Sequence, residues 1–298
     1  MAWRGLHITQ AARLSLADGQ IVIDQADGAV RLPLEDIGWV VIDTPQAILT
    51  TALIAALMHH GIAVVTTDAR HTPSGIMVPF HGHYRQGAVA AIQAGVSVPL
   101  RKRLWQSVVQ AKIANQSAAL GRCGGDGRAL SAMAALVGSG DPANVEARAA
   151  RAYWAGLFPD FRREDGTDRR NMLLNYGYAV VRACVARALV GTGLLPAFGI
   201  GHAGASNAFN LADDMVEPFR PVVDVAVHAM SDGGCRRDGE PERGDRQRLA
   251  ALPLEPIRMG HETMSVLAAT EAVAESLVRA MEARKKEKLM LPALCPPP

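Results

Sequence analysis

Two stretches of the chain carry side chains that can do chemistry. The first is Asn144-Val145-Glu146-Ala147-Arg148-Ala149-Ala150-Arg151-Ala152-Tyr153-Trp154. At helical spacing Glu146 shares a face with Ala149, Ala150 and Tyr153. A carboxylate among small residues leaves room for something large beside it, and Arg148 and Arg151 lie close by. Taken alone, the segment also reads as a surface Glu paired with an Arg of its own helix. The second stretch is GIGHAGASNAFNLADDMVEPFRP, from Gly199 to Pro221. His202 sits in a loop of small residues, and Asp213, Asp214 and Glu217 follow on a helix. Either Asp214 with Glu217 (i,i+3) or Asp213 with Glu217 (i,i+4) can share a face. Packed carboxylates repel one another unless a cation or a proton intervenes. Carboxylate oxygens with one imidazole suit Mg²⁺ or Mn²⁺, and the imidazole tilts the choice toward Mn²⁺. The competing reading is a solvated acidic helix beside a structural histidine.

Other groups carry less. His59-His60 and His81-Gly82-His83 have the look of metal pairs, but no carboxylate partner lies near them, which favours loop or packing roles. No GxxxxGK[ST], GxGxxG after a strand, GxSxG or HExxH is present, so nucleotide-binding, serine-hydrolase and zincin readings lack support. Cys123, Cys184, Cys235 and Cys295 are far apart with no CxxC. They fit free thiols in a reducing compartment, and a cytoplasmic protein is expected.

Positioning such groups takes a core. The chain has 298 residues, 49% of them hydrophobic and 20% charged, enough for one large domain or two smaller ones and too apolar for wholesale disorder. The longest apolar candidate, Thr51 to Thr67, is cut by His59, His60 and Gly61, so no transmembrane helix is expected. The first residues, MAWRGLHITQ, lack a basic head followed by a long apolar stretch, and no signal peptide is expected. The formal net charge of +2 hides an asymmetry. Residues 101–190 carry 14 basic and 7 acidic side chains, against 5 and 7 in residues 1–100 and 12 and 15 in residues 191–298. The cations are 26 Arg and only 5 Lys. Arg grips phosphates bidentately, and a clustered positive surface attracts polyanions. The Arg excess alone also fits simple codon bias with a solvated surface; the clustering is the informative part.

Residues 1 to about 80 read as strands and turns. Ile21 to Asp24, Val30 to Leu34 and Trp39 to Asp43 are β-rich, with turn signals at Asp18-Gly19 and Asp27-Gly28. Thr44-Pro45 reads as the opening of a helix over Ala47 to Met58; Ala63 to Thr67 and Gly75 to Val78 return to β character. Residues 80–100 read as a connection. Helices are expected over Arg103 to Leu120, about Ala143 to Leu157, and from an Asp168 cap to about Val190, closed by Gly191 and Gly193. Asn210 to Met230 reads as helix interrupted at Pro218 and Pro221, residues 232–247 as a mobile loop, His261 to Lys288 as a last helix, and LPALCPPP as a disordered tail. The expected fold class is α+β: a small N-terminal β-rich domain (1–85), then a larger all-α C-terminal catalytic domain (86–298).

Together these segments resemble a known family, the CRISPR-associated integrase/endonuclease of spacer acquisition (the "Cas one" family), in its type II flavour. The matching residues are Glu146 with ARAARAYW, then NMLLNYGYAVVRACVARALVGTGLLPAFGIGH (Asn171 to His202), then NLADDMVEPFRPVVD (Asn210 to Asp224). The resemblance covers most of the chain, including the two-domain plan. It implies a metal triad of Glu146, His202 and Glu217, with Asp214 as a possible auxiliary, holding Mg²⁺ or Mn²⁺. It implies DNA integration and endonuclease activity in adaptive immunity: the 3′-hydroxyl of a prespacer attacks a phosphodiester of the CRISPR repeat–leader DNA. It further implies a homodimer, with the N-terminal domain as the dimerising part, and a small partner, the "Cas two" protein, in a larger complex. Arg148, Arg151, Arg162, Arg163, Arg169, Arg170 and Arg220 are candidate contacts to the double-stranded DNA backbone, recommended by nearness to the motifs.

Three rival readings use the same residues. One is a non-catalytic DNA-binding scaffold with a structural acidic cluster; metal-dependent cleavage would separate it. Another is a metal-dependent repair nuclease, which only a strand-transfer assay distinguishes. A carboxylate-pair hydrolase acting on a glycoside leaves the basic middle third unexplained.

Overall fold

Short β-branched runs broken by turns set the first part of the chain. In the computed structural model, which describes residues 3–296, they form β1 (Arg4–Ile8), β2 (Ala12–Ala17), β3 (Gln20–Gln25), β4 (Gly28–Pro33), β5 (Ile37–Ile42), β6 (Ala47–Leu49), helix α1 (Thr51–His59), β7 (Ala63–Thr67) and β8 (Pro73–Met77). Two four-stranded sheets result, in the orders β1-β5-β7-β8 and β4-β3-β2-β6. Asp18 and Gly19 both take positive φ, 52° and 71°, at the β2–β3 hairpin, where such a turn matches the twist of the strands. The helix expected from Ala47 starts later. Ala47–Leu49 pairs parallel with β2, and Thr50 caps α1 by accepting from the Leu53 amide at 3.3 Å.

Strand β5, IGWVVI, is buried along its whole length because it serves two cores. Ile37, Val40 and Ile42 face the second sheet with Leu14, Ile21, Leu53 and Leu57. Trp39 and Val41, with Ala63 and Val65 of β7, face the helices. The Trp39 indole donates to the Ala250 carbonyl at 2.9 Å across that boundary. A polar cluster seals the same junction. Asp43, fully buried, lies 3.0 Å from His7 Nε2 and 2.7 Å from His71 Nδ1, and accepts from Arg246 Nε at 2.8 Å.

The helical part contains α2 (Gln86–Ala94), α3 (Val98–Arg122), α4 (Arg128–Ala135), α5 (Val145–Leu157), α6 (Arg169–Gly191), α7 (Asn210–Val216), α8 (Arg220–Met230), α9 (Arg243–Ala250), β9 (Pro256–Met259), β10 (Glu262–Ser265) and α10 (Val266–Ala283). Helix α6 runs through the centre against α7, α8, α9 and α10. It is long and apolar enough to cross a membrane, and 78% of its apolar window is buried inside the protein. Asp168 caps it by accepting from the Arg170 amide at 2.8 Å.

Four expectations need correction here. Residues 80–100 hold helix α2, not a bare connection. The C-terminal part is not all-α: β9 and β10 form an antiparallel hairpin where helix was expected from His261, and Ser265 caps α10 only afterwards, accepting from the Ala268 amide at 3.2 Å. The loop at 232–247 ends at Glu242. There a capping box with Asp245 starts α9, and the Arg169 amide donates to the Arg237 carbonyl at 2.8 Å. The tail is packed as far as it is described. Ala293 bridges to Arg258, Leu294 is 6% exposed, and the Asn115 side chain donates to the Pro292 carbonyl at 3.0 Å and accepts from the Leu294 amide at 3.0 Å. Pro297 and Pro298 lie outside the described residues.

Candidate functional site

Asp141 prepares the first carboxylate. Its two oxygens accept from the amides of Val145 and Glu146, each at 2.9 Å, and so tie down the start of α5. Glu146 thus stands in the first helical turn, where a negative charge is favoured by the helix dipole. The second carboxylate is set by a break. Pro218 stops α7, the chain tightens into a 3₁₀ turn over Glu217–Phe219, and α8 starts at Arg220. Asn115 of α3 fixes that turn by donating to the Pro218 carbonyl at 2.7 Å.

Lys112, also on α3, lies between the two. Its Nζ is 2.7 Å from Glu146 Oε1 and 2.7 Å from Glu217 Oε2. The first contact is a hydrogen bond. The second has ion-pair distance without hydrogen-bond geometry, so the buried Glu217 Oε2 has no hydrogen-bond partner among the described residues. Arg220 Nε stands 3.0 Å from the other oxygen of Glu217. Burial would push the Glu217 carboxyl up, but the charges of Lys112 and Arg220 outweigh it and hold Glu217 below its ordinary value. Burial would likewise lower Lys112, and the two glutamates outweigh that and raise it.

His202 is placed by Asp214. The Asp214 carboxylate accepts from the amides of Ile200 at 2.6 Å, Gly201 at 3.0 Å and His202 at 2.8 Å, and its Oδ1 lies 2.7 Å from His202 Nδ1. This hydrogen bond raises the imidazole above its usual pKa range, against a smaller opposing effect of burial. The two flanking glycines are required by contact. A Cβ on Gly201 would come within 2.4 Å of the Trp105 ring, and one on Gly199 within 2.2 Å of the His202 carbonyl. His202, Trp105, Arg101 and Lys102 line one cleft of about 260 Å³.

The structure therefore brings Glu146 and Glu217 together on one cation. His202 lies on the neighbouring loop, close enough for the Glu217 charge to act on it. The three do not stand as a closed cage: among the described residues, no group of three His, Cys, Asp or Glu side chains is arranged to hold an ion. The donor set fits a hard dication nonetheless. A cationic ammonium already sits on the two carboxylates, one of whose oxygens lacks a hydrogen-bond donor. The imidazole beside them is pinned through Nδ1, with no partner on Nε2 among the described residues.

Both oxygens of Asp214 are engaged by the loop amides and the imidazole. Asp213 is engaged as well. It accepts from Arg182 Nε at 2.5 Å and Asn207 Nδ2 at 2.7 Å.

The arginines divide. Arg148, Arg151 and Arg162 are exposed, and none has an ion-pair partner among the described residues. Arg163 is half-buried and donates to Asn171 at 2.9 Å and Asn175 at 2.6 Å. Arg220 is committed to Glu217. Arg169 and Arg170 correct the sequence reading: both are fully buried. Arg169 pairs with Asp245 at 2.5 Å, and Arg170 with Asp168 at 2.5 Å while donating to the Pro159 and Gly234 carbonyls, each at 2.8 Å. They fasten the start of α6 to its surroundings and cannot reach a phosphate. The sequence reading missed Lys112, Arg101, Lys102 and Trp105. The run Arg101-Lys102-Arg103 was a visible charge cluster; Lys112 carried no local signal.

Residues 6–239 match the family model described as CRISPR associated protein Cas1. The chain is 36% identical over 299 residues to the CRISPR-associated endonuclease Cas1 of Neisseria meningitidis serogroup C (strain 8013), covering 99% of this chain and 98% of that protein. In fold it is similar to a casposase bound to integration product, with a TM-score of 0.76 and 18% identity over 96% of this chain and 92% of that one. It is also similar to a chain of a Cas6-RT-Cas1–Cas2 complex, with a TM-score of 0.74 and 16% identity over 96% of this chain and 36% of that one.

Proposed function

Since the chain belongs to the CRISPR associated protein Cas1 family, we propose that it is a metal-dependent DNA integrase and endonuclease of the type II kind. In this reading it joins the 3′-hydroxyl of a prespacer to a phosphodiester of the CRISPR repeat–leader DNA. The observation that carries the reading is the convergence of Glu146 and Glu217 on one cation beside an imidazole anchored by Asp214.

Glu146, Glu217 and Nε2 of His202 would hold Mg²⁺ or Mn²⁺. Held there, the ion would supply Lewis-acid chemistry toward a phosphodiester, which suits both integration and cleavage at one site. The protein's own part is preparation. Asp214 fixes the ring so that Nδ1 is spent and Nε2 faces outward. Asp141 fixes the backbone of Glu146. Arg148, Arg151 and Arg162, with Arg101 and Lys102 at the cleft, offer cations to backbone phosphates, which positions DNA with little sequence choice.

The same reading includes a homodimer joined by a Cas2-type partner in the cytoplasm. The Cas2-type partner is supported by a structural neighbour that is a chain of a complex whose name includes Cas2. The deciding experiment is strand transfer of a short duplex into a repeat-bearing plasmid, with and without Mn²⁺ and the small partner. Joined product that requires both the metal and Glu146 supports the reading. Metal-independent joining, or none under any condition, defeats it.

A further inference from the structure

We propose that Lys112 is an exchangeable counter-cation: its ammonium fills the position between Glu146 and Glu217 until a dication enters, and is then displaced from it. The proposal rests on the reading of these glutamates as metal ligands.

Two acidic groups brought into one partly buried place repel, and a fold that must exist before metal arrives needs something between them. Lys112 supplies it from 2.7 Å on each side. The Lys side chain suits the task, being a compact charge on a flexible four-carbon stem. It holds both carboxylates at the same distance, as a hydrogen bond to Glu146 and an ion pair to Glu217. A dication on the same oxygens would face a like charge at contact distance, so the two cannot share the position.

The displaced ammonium can swing on its four-carbon stem along α3, toward the face that carries Trp105 two turns earlier. The step is an ion exchange: one dication in, one ammonium out. Lys112 keeps its proton and no bond is made or broken. Metal binding is thereby opposed by the protein's own charge, which raises the metal concentration needed to fill the site.

Mn²⁺ titration of the full chain, followed by electron paramagnetic resonance, tests this with Lys112→Met and Lys112→Gln. Both variants are expected to bind Mn²⁺ at least tenfold more tightly than the unmodified protein, and to gain more in melting temperature from it. Equal or weaker binding overturns the exchange. Absence of Mn²⁺ binding in all three proteins overturns the metal reading itself. A second measurement needs no variant. With only five lysines in the chain, acetylation by an N-hydroxysuccinimide ester can be read residue by residue by mass spectrometry. Lys112 is expected to be slow without metal and several-fold faster with Mn²⁺, while the exposed Lys285 and Lys288 stay unchanged. A Lys112 rate indifferent to Mn²⁺ overturns the proposal.

Discussion

His202 Nδ1 and Asp214 Oδ1 stand 2.7 Å apart, and that one bond decides which ring nitrogen is offered to the cleft. The same carboxylate gathers three successive backbone amides, so ring and loop are set by a single side chain. Asp214→Asn keeps the shape but exchanges an acceptor oxygen for a donor that opposes the amides. Strand transfer is expected to fall by about 10–100-fold, with Mn²⁺ affinity falling in step. Activity unchanged with Mn²⁺ affinity unchanged would assign Asp214 a purely structural part.

Glu146→Ala and His202→Ala are expected to abolish strand transfer while leaving DNA affinity within about threefold, because neither supplies a cation to the backbone. Glu217→Ala should differ from both. It leaves Arg220 and one side of Lys112 unpaired in a buried place, and unfolding in urea should show a stability loss on the order of 2 kcal/mol besides the lost activity. Full activity in Glu146→Ala would remove that residue from the chemistry.

Arg148→Ala, Arg151→Ala and Arg162→Ala each remove an exposed cation without a protein partner. DNA binding should weaken about uniformly across sequences, with the slope of log affinity against log salt reduced by about 1 for each. Arg170→Ala should leave that slope alone and cost roughly 3 kcal/mol of stability, since it strips a buried Asp168 of its partner. A changed salt slope for Arg170→Ala would contradict its burial.

Asp43 gives the acid limb of stability. Burial alone would push its carboxyl up; hydrogen bonds from His7, Arg246 and His71 outweigh that and hold it at about 2, below the ordinary 3.8. A carboxyl lowered by folding adds stability above its unfolded pKa and loses it as pH falls toward the folded one. The shift corresponds to roughly 2 kcal/mol, present above pH 4 and lost between about 4 and 2. Urea midpoints for the unmodified protein and Asp43→Asn should therefore converge across that window. A constant gap between the two down to pH 2 would refute the assignment.

Much of this arrangement could be read from residues near one another in sequence. Asp168 as a cap, the break at Pro218, the glycine-bounded His202 and the helix around Glu146 all declare themselves within a few positions. What escaped depends on distant partners. Lys112 acquires its role only when 34 positions of chain fold back to bring Glu146 beside it. Arg169 and Arg170 look like surface cations until Asp245 and the Gly234 carbonyl are placed against them. The hairpin of β9 and β10 is hidden in a run whose apolar spacing continues into α10, and only the Ser265 cap marks where helix begins. A charge count sees how many arginines there are, and burial decides which of them face water.

The Asn115 side chain joins α3, the Pro218 turn and residues 292–294, and its bond to the Leu294 amide spans 179 positions. On a ribosome, the turn that bears Glu217 is thus made long before the segment that clamps it. A nascent chain still lacking Leu294 would hold that turn through Asn115 alone, so the last contact around the glutamate closes only when that late segment has emerged from the exit tunnel.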